Sequence, residues 1–545
     1  MLKNGQLAET VISGYTSDGL GVCHIDGCAV FVPDVLRGER CLVRVVHAGR
    51  NSAHGVCARL LEASEHRIAP DCPHAKLCGG CALRHMDYAE ELAFKQQRVL
   101  DALARLGGVE LSELPITGAE RCDGYRNKAQ YPVQTVKGRL EAGFYRKGSH
   151  ALVPVERCRI LPEVSDLARA AVTNWARRSR VPAYDERTRK GLLRHIFVRV
   201  GMKSGQVMVC LVVNGETVPD RALLLRLLQK RVPGLRSVQL SVNRRVGNVI
   251  LGDVTKTLWG AEAIDDELCG NVFRLSARSF YQVNRDQAER LYEKAIEYAG
   301  LTGTETVLDL YCGAGTITLA MARHAKRAVG VELVAEAIED AKKNAARSGA
   351  ANAEFFCADA GEAARRFAEA GERPDVIVVD PPRKGLSADV IAAIEAMSPP
   401  RVVYVSCDPA TLARDVKLLT ANAYRLDKAE AFDLFPRTSH VETVVQLVRK
   451  NPDMTVSVTL NLEDADLTAS EAKATYEQIK AYVMETFGFR VTSLQIAQTK
   501  RKLGLPIGEH YNLSQKEDQI IPNCPPEKES AIREALVHFR MIYMI

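Results

Sequence analysis

The sequence predicts an α/β protein. Its main domain is a parallel sheet covered by helices on both faces, preceded by a small β-barrel and a central α+β region and followed by a mostly helical appendage. Three observations carry this. Between residues 285 and 450, apolar strand runs (Thr306–Leu310, Arg327–Val331, Asp375–Val379, Val402–Val405) alternate with helical stretches, as in sheets buried on both faces. The first of these runs leads into a glycine-rich turn, Gly313-x-Gly315, and a helix start. Residues 1–60 hold only short β-rich runs, Ala29–Val32 and Cys41–Val46, between Gly, Pro and Asp punctuation.

Composition supports several domains. The chain has 545 residues, 46% of them hydrophobic, which excludes a disordered chain. No run of about 18 apolar residues occurs, so no membrane-spanning helix is expected. The N-terminal residues lack the basic-then-apolar layout of a signal peptide, and a cytoplasmic location is expected. Fifteen cysteines in a reducing compartment call for packing, metal or cluster ligation, or catalysis rather than disulfides. Net charge is +6. The residues after Lys450 are net acidic, so the basic excess belongs to the first 450 and suits a polyanionic partner.

The expected domains are 1–60, a small barrel of a type that often binds nucleic acid; 61–280, a central region; 281–450, the main α/β domain; and 451–545, the appendage. The central region opens with a cysteine cluster and a helix over 89–106 that can pack on the main domain. Loops at Tyr125–Tyr131 and Gly143–Gly148 follow, interleaving basic and aromatic residues, then strands at Ile196–Val200, Val207–Val213 and Ser237–Val242. Such loops suit stacked bases and phosphates. In the appendage, Thr468 and Glu471 form a capping-box pattern opening a helix with Ile479, Val483 and Phe487 on one face. A turn at Phe487–Phe489 leads to a second helix ending in Lys500-Arg501-Lys502. This pair is either a helix-turn-helix-like module or a packing appendage.

The glycine loop lacks the third glycine of a dinucleotide fingerprint. Its D-L-x-x-G-x-G pattern, Asp309 to Gly315, resembles instead the first motif of the Rossmann-like S-adenosylmethionine-dependent methyltransferases. There the glycines let backbone approach the cofactor closely. Glu332 ends the next strand and can accept ribose hydroxyls; Asp359 and Asp380 follow at later strand ends, where open α/β sheets bind ligands.

Cys407 follows the strand Val402–Val405, and Pro409 opens the next helix. A thiol so placed is expected to have a lowered pKa. Covalent addition of a thiolate to C6 of a pyrimidine would activate C5 for methylation, and a base must then remove the C5 proton. Glu442, in Ser439-His-Val-Glu442, is the better base, and His440 the runner-up. The remaining motif is Cys72-x5-Cys78-x2-Cys81, with Cys158 as a candidate fourth ligand. Zinc and an iron–sulfur cluster are both open to four cysteines, and His74 and His85 are read as non-ligands. Cys23, Cys28, Cys41, Cys57, Cys122, Cys210, Cys269, Cys312 and Cys357 are assigned to packing. Cys524 stands without a named role.

Asp380-Pro-Pro-Arg-Lys-Gly385, Val405-Ser-Cys-Asp-Pro-Ala-Thr-Leu-Ala-Arg-Asp415 and Phe435-Pro-Arg-Thr-Ser-His-Val-Glu442 resemble the RNA uracil-C5 methyltransferase family, and within it the bacterial 23S ribosomal RNA enzymes. The resemblance covers about residues 1–450. It implies Cys407 as nucleophile, Glu442 as proton acceptor, and Gln282, Tyr311, Glu332 and Asp380 as S-adenosylmethionine contacts. Thr316 stands where some relatives carry Asn. It further implies a [4Fe-4S] cluster on Cys72, Cys78, Cys81 and Cys158, and a TRAM-type RNA-binding barrel over 1–60. The expected enzyme is a monomer without membrane association, acting on a single-stranded or bulged uridine of 23S ribosomal RNA. A transfer-RNA uracil-54 methyltransferase and a non-catalytic RNA-binding assembly factor are the alternatives.

Overall fold

The computed structural model describes residues 2–450, 476–503 and 524–538. It divides into two compact units, Met1–Pro452 and Asp453–Ile545.

The first unit opens with β1 (Leu7–Val11), β2 (Gly14–Tyr15), β3 (Gly21–Ile25), β4 (Cys28–Val32), β5 (Arg40–Ala48) and β6 (Ser52–Glu62). They form one sheet in the order β1-β5-β6-β4-β3-β2. It is a half-barrel around Ile12, Cys23, Val30, Val32, Val43 and Val45. Buried Glu39 accepts from the Leu36 N–H at 2.8 Å and from Arg67, anchoring the following segment to the half-barrel.

Helix α1 (Tyr88–Ala102) is capped by Asp87, which accepts the Glu90 N–H, and runs into a π-turn at Leu103–Gly107. Its apolar face is shared: Phe94 packs with Leu36, Leu83 and Met86. Val99 and Leu103 share a core with Val402, Tyr404 and Leu412 of the main domain. Strand β7 (Ile116–Thr117) continues this docking by extending the main sheet's edge.

The central sheet contains β8 (Lys128–Val136), β9 (Arg139–Tyr145), β10 (Leu152–Pro154), β11 (Leu193–Val200), β12 (Val207–Val213), β13 (Leu235–Val242) and β14 (Val254–Gly260). Helices α2 (Glu163–Arg178) and α3 (Arg221–Arg231) belong to the same region. The strand order is β10-β9-β8-β11-β12-β13-β14. Trp175 of α2 is fully buried among these strands. The basic-aromatic segments expected as loops are largely strand. Lys128–Tyr131 lies in β8 and Gly143–Tyr145 in β9. Tyr125 and Tyr131 are buried, donating to the Pro436 carbonyl at 3.0 Å and to Asp166 Oδ1 at 3.1 Å, so neither offers a free ring to a base. The two-residue alternation explains this: Ala129, Tyr131 and Val133 enter the core, while Lys128 and Gln130 face the opposite side.

The main domain begins with a hairpin, β15 (Ile264–Leu268) and β16 (Asn271–Leu275), and α4 (Arg285–Ala299). It continues through β17 (Thr306–Leu310), α5 (Thr316–Ala322), β18 (Arg327–Glu332), α6 (Ala335–Ser348), β19 (Ala353–Cys357), α7 (Ala360–Glu369), β20 (Val376–Val379), α8 (Ala388–Met397), β21 (Arg401–Ser406) and α9 (Pro409–Ala421). It ends with β22 (Tyr424–Phe432) and β23 (Glu442–Arg449). The sheet order is β19-β18-β17-β20-β21-β23-β22-β7. Strands β17 to β21 are mutually parallel; β23 is antiparallel to β21 and β22. An apolar core lies on each face, giving a Rossmann-like, helix-covered sheet. The strand order reverses between β17 and β20, so a crevice for ligand opens at their carboxyl ends.

In the second unit, α10 (Tyr476–Phe487), α11 (Ser493–Lys502) and α12 (Pro526–His538) surround a core of Ile479, Val483, Ile496, Ile532 and Leu536. Phe487 packs against this core and Cys524 is buried in it, which gives that thiol a packing role. A complete capping box starts α11, with Thr492 and Gln495 exchanging hydrogen bonds. The pattern at Thr468 and Glu471 lies outside the described residues. Helix α12 was not anticipated. Among the described residues, no helix is long and apolar enough to cross a membrane.

Candidate active site

One cavity of about 1420 Å³ lies at the switch point of the main sheet and extends to the cysteine loop. Its floor is the turn after β17. The N–H groups of Tyr311 and Cys312 both donate to the Val331 carbonyl at 2.9 Å, folding the turn over β18. Tyr311 and Gly313 both have positive φ. A Cβ on Gly313 would meet nothing within 4 Å, so the backbone borders open space where a cofactor can approach. Glu332 is tied to this turn: its Oε2 accepts the Gly313 N–H at 3.2 Å and its Oε1 the Val334 N–H at 3.0 Å. Each oxygen keeps a lone pair for hydroxyls in the cavity.

Gln282, Tyr311, Glu332, Asp359 and Asp380 all line this cavity. The Gln282 segment is clamped from below: Asn127 donates from Nδ2 to the Gln282 carbonyl and from its N–H to the Val283 carbonyl, both at 2.8 Å. Asp359 also caps α7, accepting the Gly361 and Glu362 N–H groups, so its carboxylate serves the helix as well as the cavity. Two buried acidic groups lie close together, Asp380 lining the cavity and Asp309 behind it. Burial raises Asp309 to about 7, against the Thr318 hydroxyl bonded to its Oδ2 at 2.6 Å. Burial and the neighbouring Asp309 raise Asp380 to about 7. Asp309 stands inside the quoted glycine motif, yet the motif alone did not mark it as a site residue.

Cys407 and Glu442 meet across two strands. The antiparallel pairing of β21 with β23 ends at Ser406 and Thr443; Cys407 and Glu442 are the next residues on the two segments, both line the cavity, and Glu442 acts electrostatically on the Cys407 thiol. Burial, then the negative charge of Asp380, lifts Glu442 well above the usual carboxylate range, while Arg383 opposes the shift. The expected lowering of the Cys407 pKa is overturned. Burial, then Glu442 and Asp380, pushes the thiol up to about 11, with Arg383 the main opposing charge. The helix terminus does not help because it is already capped: Asp408 Oδ1 accepts the Ala410 and Thr411 N–H groups at 2.9 and 3.1 Å. Arg383 is the group the sequence reading passed over, although it lies within the quoted Asp380–Gly385 motif. His440 sits at the cavity mouth; the surrounding protein, then Arg383 and Arg98, holds its imidazole below the usual value.

The segment carrying these groups is fastened to α1. Buried Lys95 donates to Glu91 at 2.7 Å, to Asp433 at 2.6 Å and to the Phe435 carbonyl at 3.3 Å. Glu91 accepts the Arg437 N–H at 2.7 Å, and Tyr88 donates to Asp433 at 2.8 Å. The Arg437 carbonyl accepts the Ala82 and Leu83 N–H groups, which directly follow Cys81. This network had no sequence signal, because its partners lie more than 300 residues apart.

Cys72, Cys78, Cys81 and Cys158 line the far end of the same cavity. Burial, then neighbouring charges including Cys81 and Cys78, raises the Cys158 thiol to about 12. Among the described residues, no three His, Cys, Asp or Glu side chains are gathered closely enough to hold a metal ion. A single tetrahedral zinc, with Zn–S near 2.3 Å, would need its thiolates within roughly 4 Å of one another. His74 lines the cavity; His85 is buried outside it. Of the cysteines assigned to packing, Cys23, Cys41, Cys210 and Cys312 are buried, but Cys357 is exposed and the others are half-buried. Cys357 ends a strand at the sheet edge, where nothing covers it.

Comparison with known proteins agrees with this geometry. The family model described as tRNA (uracil-5-)-methyltransferase matches residues 261–450. An uncharacterised RNA methyltransferase from Halalkalibacterium halodurans is 43% identical over 451 residues, covering 83% of this chain and 98% of that protein. Another from Caldanaerobacter subterraneus is 41% identical over 448 residues, covering 82% and 99%. The crystal structure of Pyrococcus abyssi tRNA (uracil-54, C5)-methyltransferase with S-adenosyl-L-homocysteine matches with a TM-score of 0.66 and 28% identity, covering 81% of this chain and all of that one. With a glycine-loop cavity of this form and relatives this similar over nearly their whole length, the chain belongs to the RNA uracil-5 methyltransferase family and is an S-adenosylmethionine-dependent RNA methyltransferase.

Proposed function

We propose that this enzyme methylates C5 of a uridine in 23S ribosomal RNA, acting as a monomer in the cytoplasm. The observation that carries the chemistry is that Cys407 and Glu442 lie together at the end of the β21–β23 pairing and both line the cofactor cavity. Gln282, Tyr311, Glu332 and Asp380 would hold S-adenosylmethionine, which would supply an electrophilic methyl group when bound. The Cys407 thiolate adds to C6 of the uracil, and the displaced π electrons make C5 nucleophilic through the O4 enolate. After methylation, the Glu442 carboxylate takes the C5 proton, and the released electron pair expels Cys407 from C6. Burial suits Glu442 to this task, since a raised pKa makes its carboxylate a stronger base. The target base must leave its stack to reach the thiol. Arg383 favours the thiolate once RNA excludes water.

We also assign a [4Fe-4S] cluster to Cys72, Cys78, Cys81 and Cys158, as a structural group beside the RNA. That all four thiols line one cavity supports this, although among the described residues no three such side chains are gathered closely enough to hold a metal ion. The cluster and the TRAM-type half-barrel favour ribosomal RNA. A transfer-RNA substrate is the second reading, favoured by the likeness to the Pyrococcus abyssi enzyme.

Methylation of ribosomal and transfer RNA from a deletion strain, with wild type and Cys407→Ala, tests the function. Activity should vanish in the variant, and Glu442→Gln should trap a protein–RNA adduct. Undiminished C5 methylation by Cys407→Ala rules out the covalent route. Methylation confined to transfer RNA rules out the ribosomal substrate. Stoichiometric zinc without iron or sulfide in anaerobically purified protein rules out the cluster.

A further inference from the structure

The cavity is uneven in charge. Its lining residues from 332 to 442 include six carboxylates, among them Glu332, Asp340, Asp380 and Glu442, against two cations, Arg383 and Lys384. Its lining residues from 72 to 283 include six cations, Arg84, Arg126, Lys128, Arg157, Arg159 and Arg278, and no carboxylate. Some of these cations are neutralised from outside. Arg84 and Arg159 share Asp71 and Asp123 at 2.6–3.2 Å. The side chains of Arg126 and Lys128 have no hydrogen-bond or ion-pair partner among the described residues. Yet they are half-buried, and Lys128 lies directly across the strand pair from Arg199, another cation. Crowding unpaired cations in a partly dehydrated site is unfavourable until an anion enters. Burial, then Arg199 and Arg126, already lowers the Lys128 ammonium to about 8.

Their placement is rigid. Arg126 bridges to Asn284, and Asn127 between the two cations holds the Gln282–Val283 backbone. Across the cavity, the turn bearing Arg278 is pinned by buried Arg199, which donates to the Ser276 and Ser279 carbonyls at 3.0 and 2.7 Å. Arg278 also donates to the Asp253 carbonyl, and Ser276 Oγ accepts its N–H. The cations therefore flank the segment leading into the cofactor site.

We propose that Arg126, Lys128 and Arg278 form a phosphate-binding subsite that grips the RNA backbone beside the nucleotide presented to Cys407. This rests on the reading that the target base enters this cavity, and it adds where the backbone is held. Wet grooves lined by cations bind phosphate through charge and release of counterions, with log K falling by roughly 0.7–0.9 per phosphate for each decade of salt.

The test is fluorescence anisotropy with a labelled uridine-bearing RNA stem-loop over a range of KCl, using the full chain and its Arg126→Met, Lys128→Met and Lys128→Arg variants. S-adenosylmethionine titration and thermal unfolding are measured in parallel. Both methionine variants should lose about tenfold in RNA affinity at 150 mM salt, and the salt slope should fall by about one. Lys128→Arg should restore both, with cofactor affinity unchanged throughout. Affinity within twofold and an unchanged slope would overturn the subsite, as would a loss of RNA binding that travels with loss of cofactor binding or of stability. Wild type that shows the expected slope but does not methylate uracil C5 would instead refute the proposed reaction and leave the subsite standing.

Discussion

Replacing Lys95 with methionine tests whether the buried ion cluster between α1 and the 433–442 segment holds the catalytic end of the sheet together. Lys95 and both its carboxylate partners, Glu91 and Asp433, are wholly buried. Methionine keeps the side-chain bulk but leaves two acids facing each other without a cation. Removing one partner of a buried pair costs about 3–5 kcal/mol, and here one cation serves two acids, so the upper half of that range is expected at pH 8. The pH dependence follows from Glu91. Burial raises its pKa, and Asp433 raises it further, against the lowering influence of Lys95. Without Lys95 the folded-state value climbs further above the unfolded one. A group raised in this way is fully stabilising below its unfolded value and loses that contribution as pH rises through the folded value. The defect should therefore shrink on acidification from pH 8 to 5.5, and Glu91→Gln in the same chain should relieve part of it. Urea denaturation at the two pH values, followed by far-UV circular dichroism, measures this. A loss below about 1 kcal/mol at pH 8, or an equal loss at both pH values, would refute the reasoning.

Two further outcomes follow from the cavity. With its thiol near 11, Cys407 should react with iodoacetamide at pH 7 roughly 20-fold more slowly than free cysteine, whose pKa is about 8.5, because the scarcer thiolate outweighs its greater nucleophilicity, and Arg383→Leu should slow it further. Mass-spectrometric alkylation rates equal to those of free cysteine would contradict the burial argument. Gly330→Ala should weaken S-adenosylmethionine binding about tenfold by calorimetry, since a Cβ there would lie 2.7 Å from the Phe355 ring and 2.9 Å from the Cys312 sulfur beneath the glycine turn; unchanged affinity would show that the turn yields freely.

The parallel strands were legible because they are buried on both faces. Val207–Val213 and Thr306–Leu310 match the observed elements to the residue, as continuous apolar runs allow. The glycine turn and Cys407 were legible because local motifs carry their chemistry. What failed was long-range or electrostatic. That helix α1 packs on the main domain was expected; which strands and helices, 300 residues later, receive Val99 and Leu103 is shown only by the fold. Tyr125 and Tyr131 sit among basic residues that look solvated, yet both are buried; for Tyr131 the period-two alternation of β8 sends the ring inward and Lys128 to the opposite side. The helix-dipole argument for Cys407 failed because a neighbouring residue, Asp408, already uses the free N–H groups, and because two carboxylates from distant segments converge on the thiol.

That convergence depends on the single antiparallel strand inserted beside β21. In a wholly parallel sheet, every group at the ligand edge comes from the carboxyl end of a strand. Strand β23 reverses this and brings its amino end, Glu442, to the carboxyl end of β21, where Cys407 lies. The proposed nucleophile and base thereby sit at the end of a hydrogen-bonded strand pair, Cys407 one residue past the last rung, rather than on two independent loops. The same register makes the arrangement all-or-none. Slipping β23 by one residue would turn Glu442 to the other face of the sheet. The buried cluster at Lys95, with the clamp on Arg437, fixes the segment that enters β23 and so sets that register, which is why a lysine on the first helix bears on the geometry of a thiol more than 300 residues away.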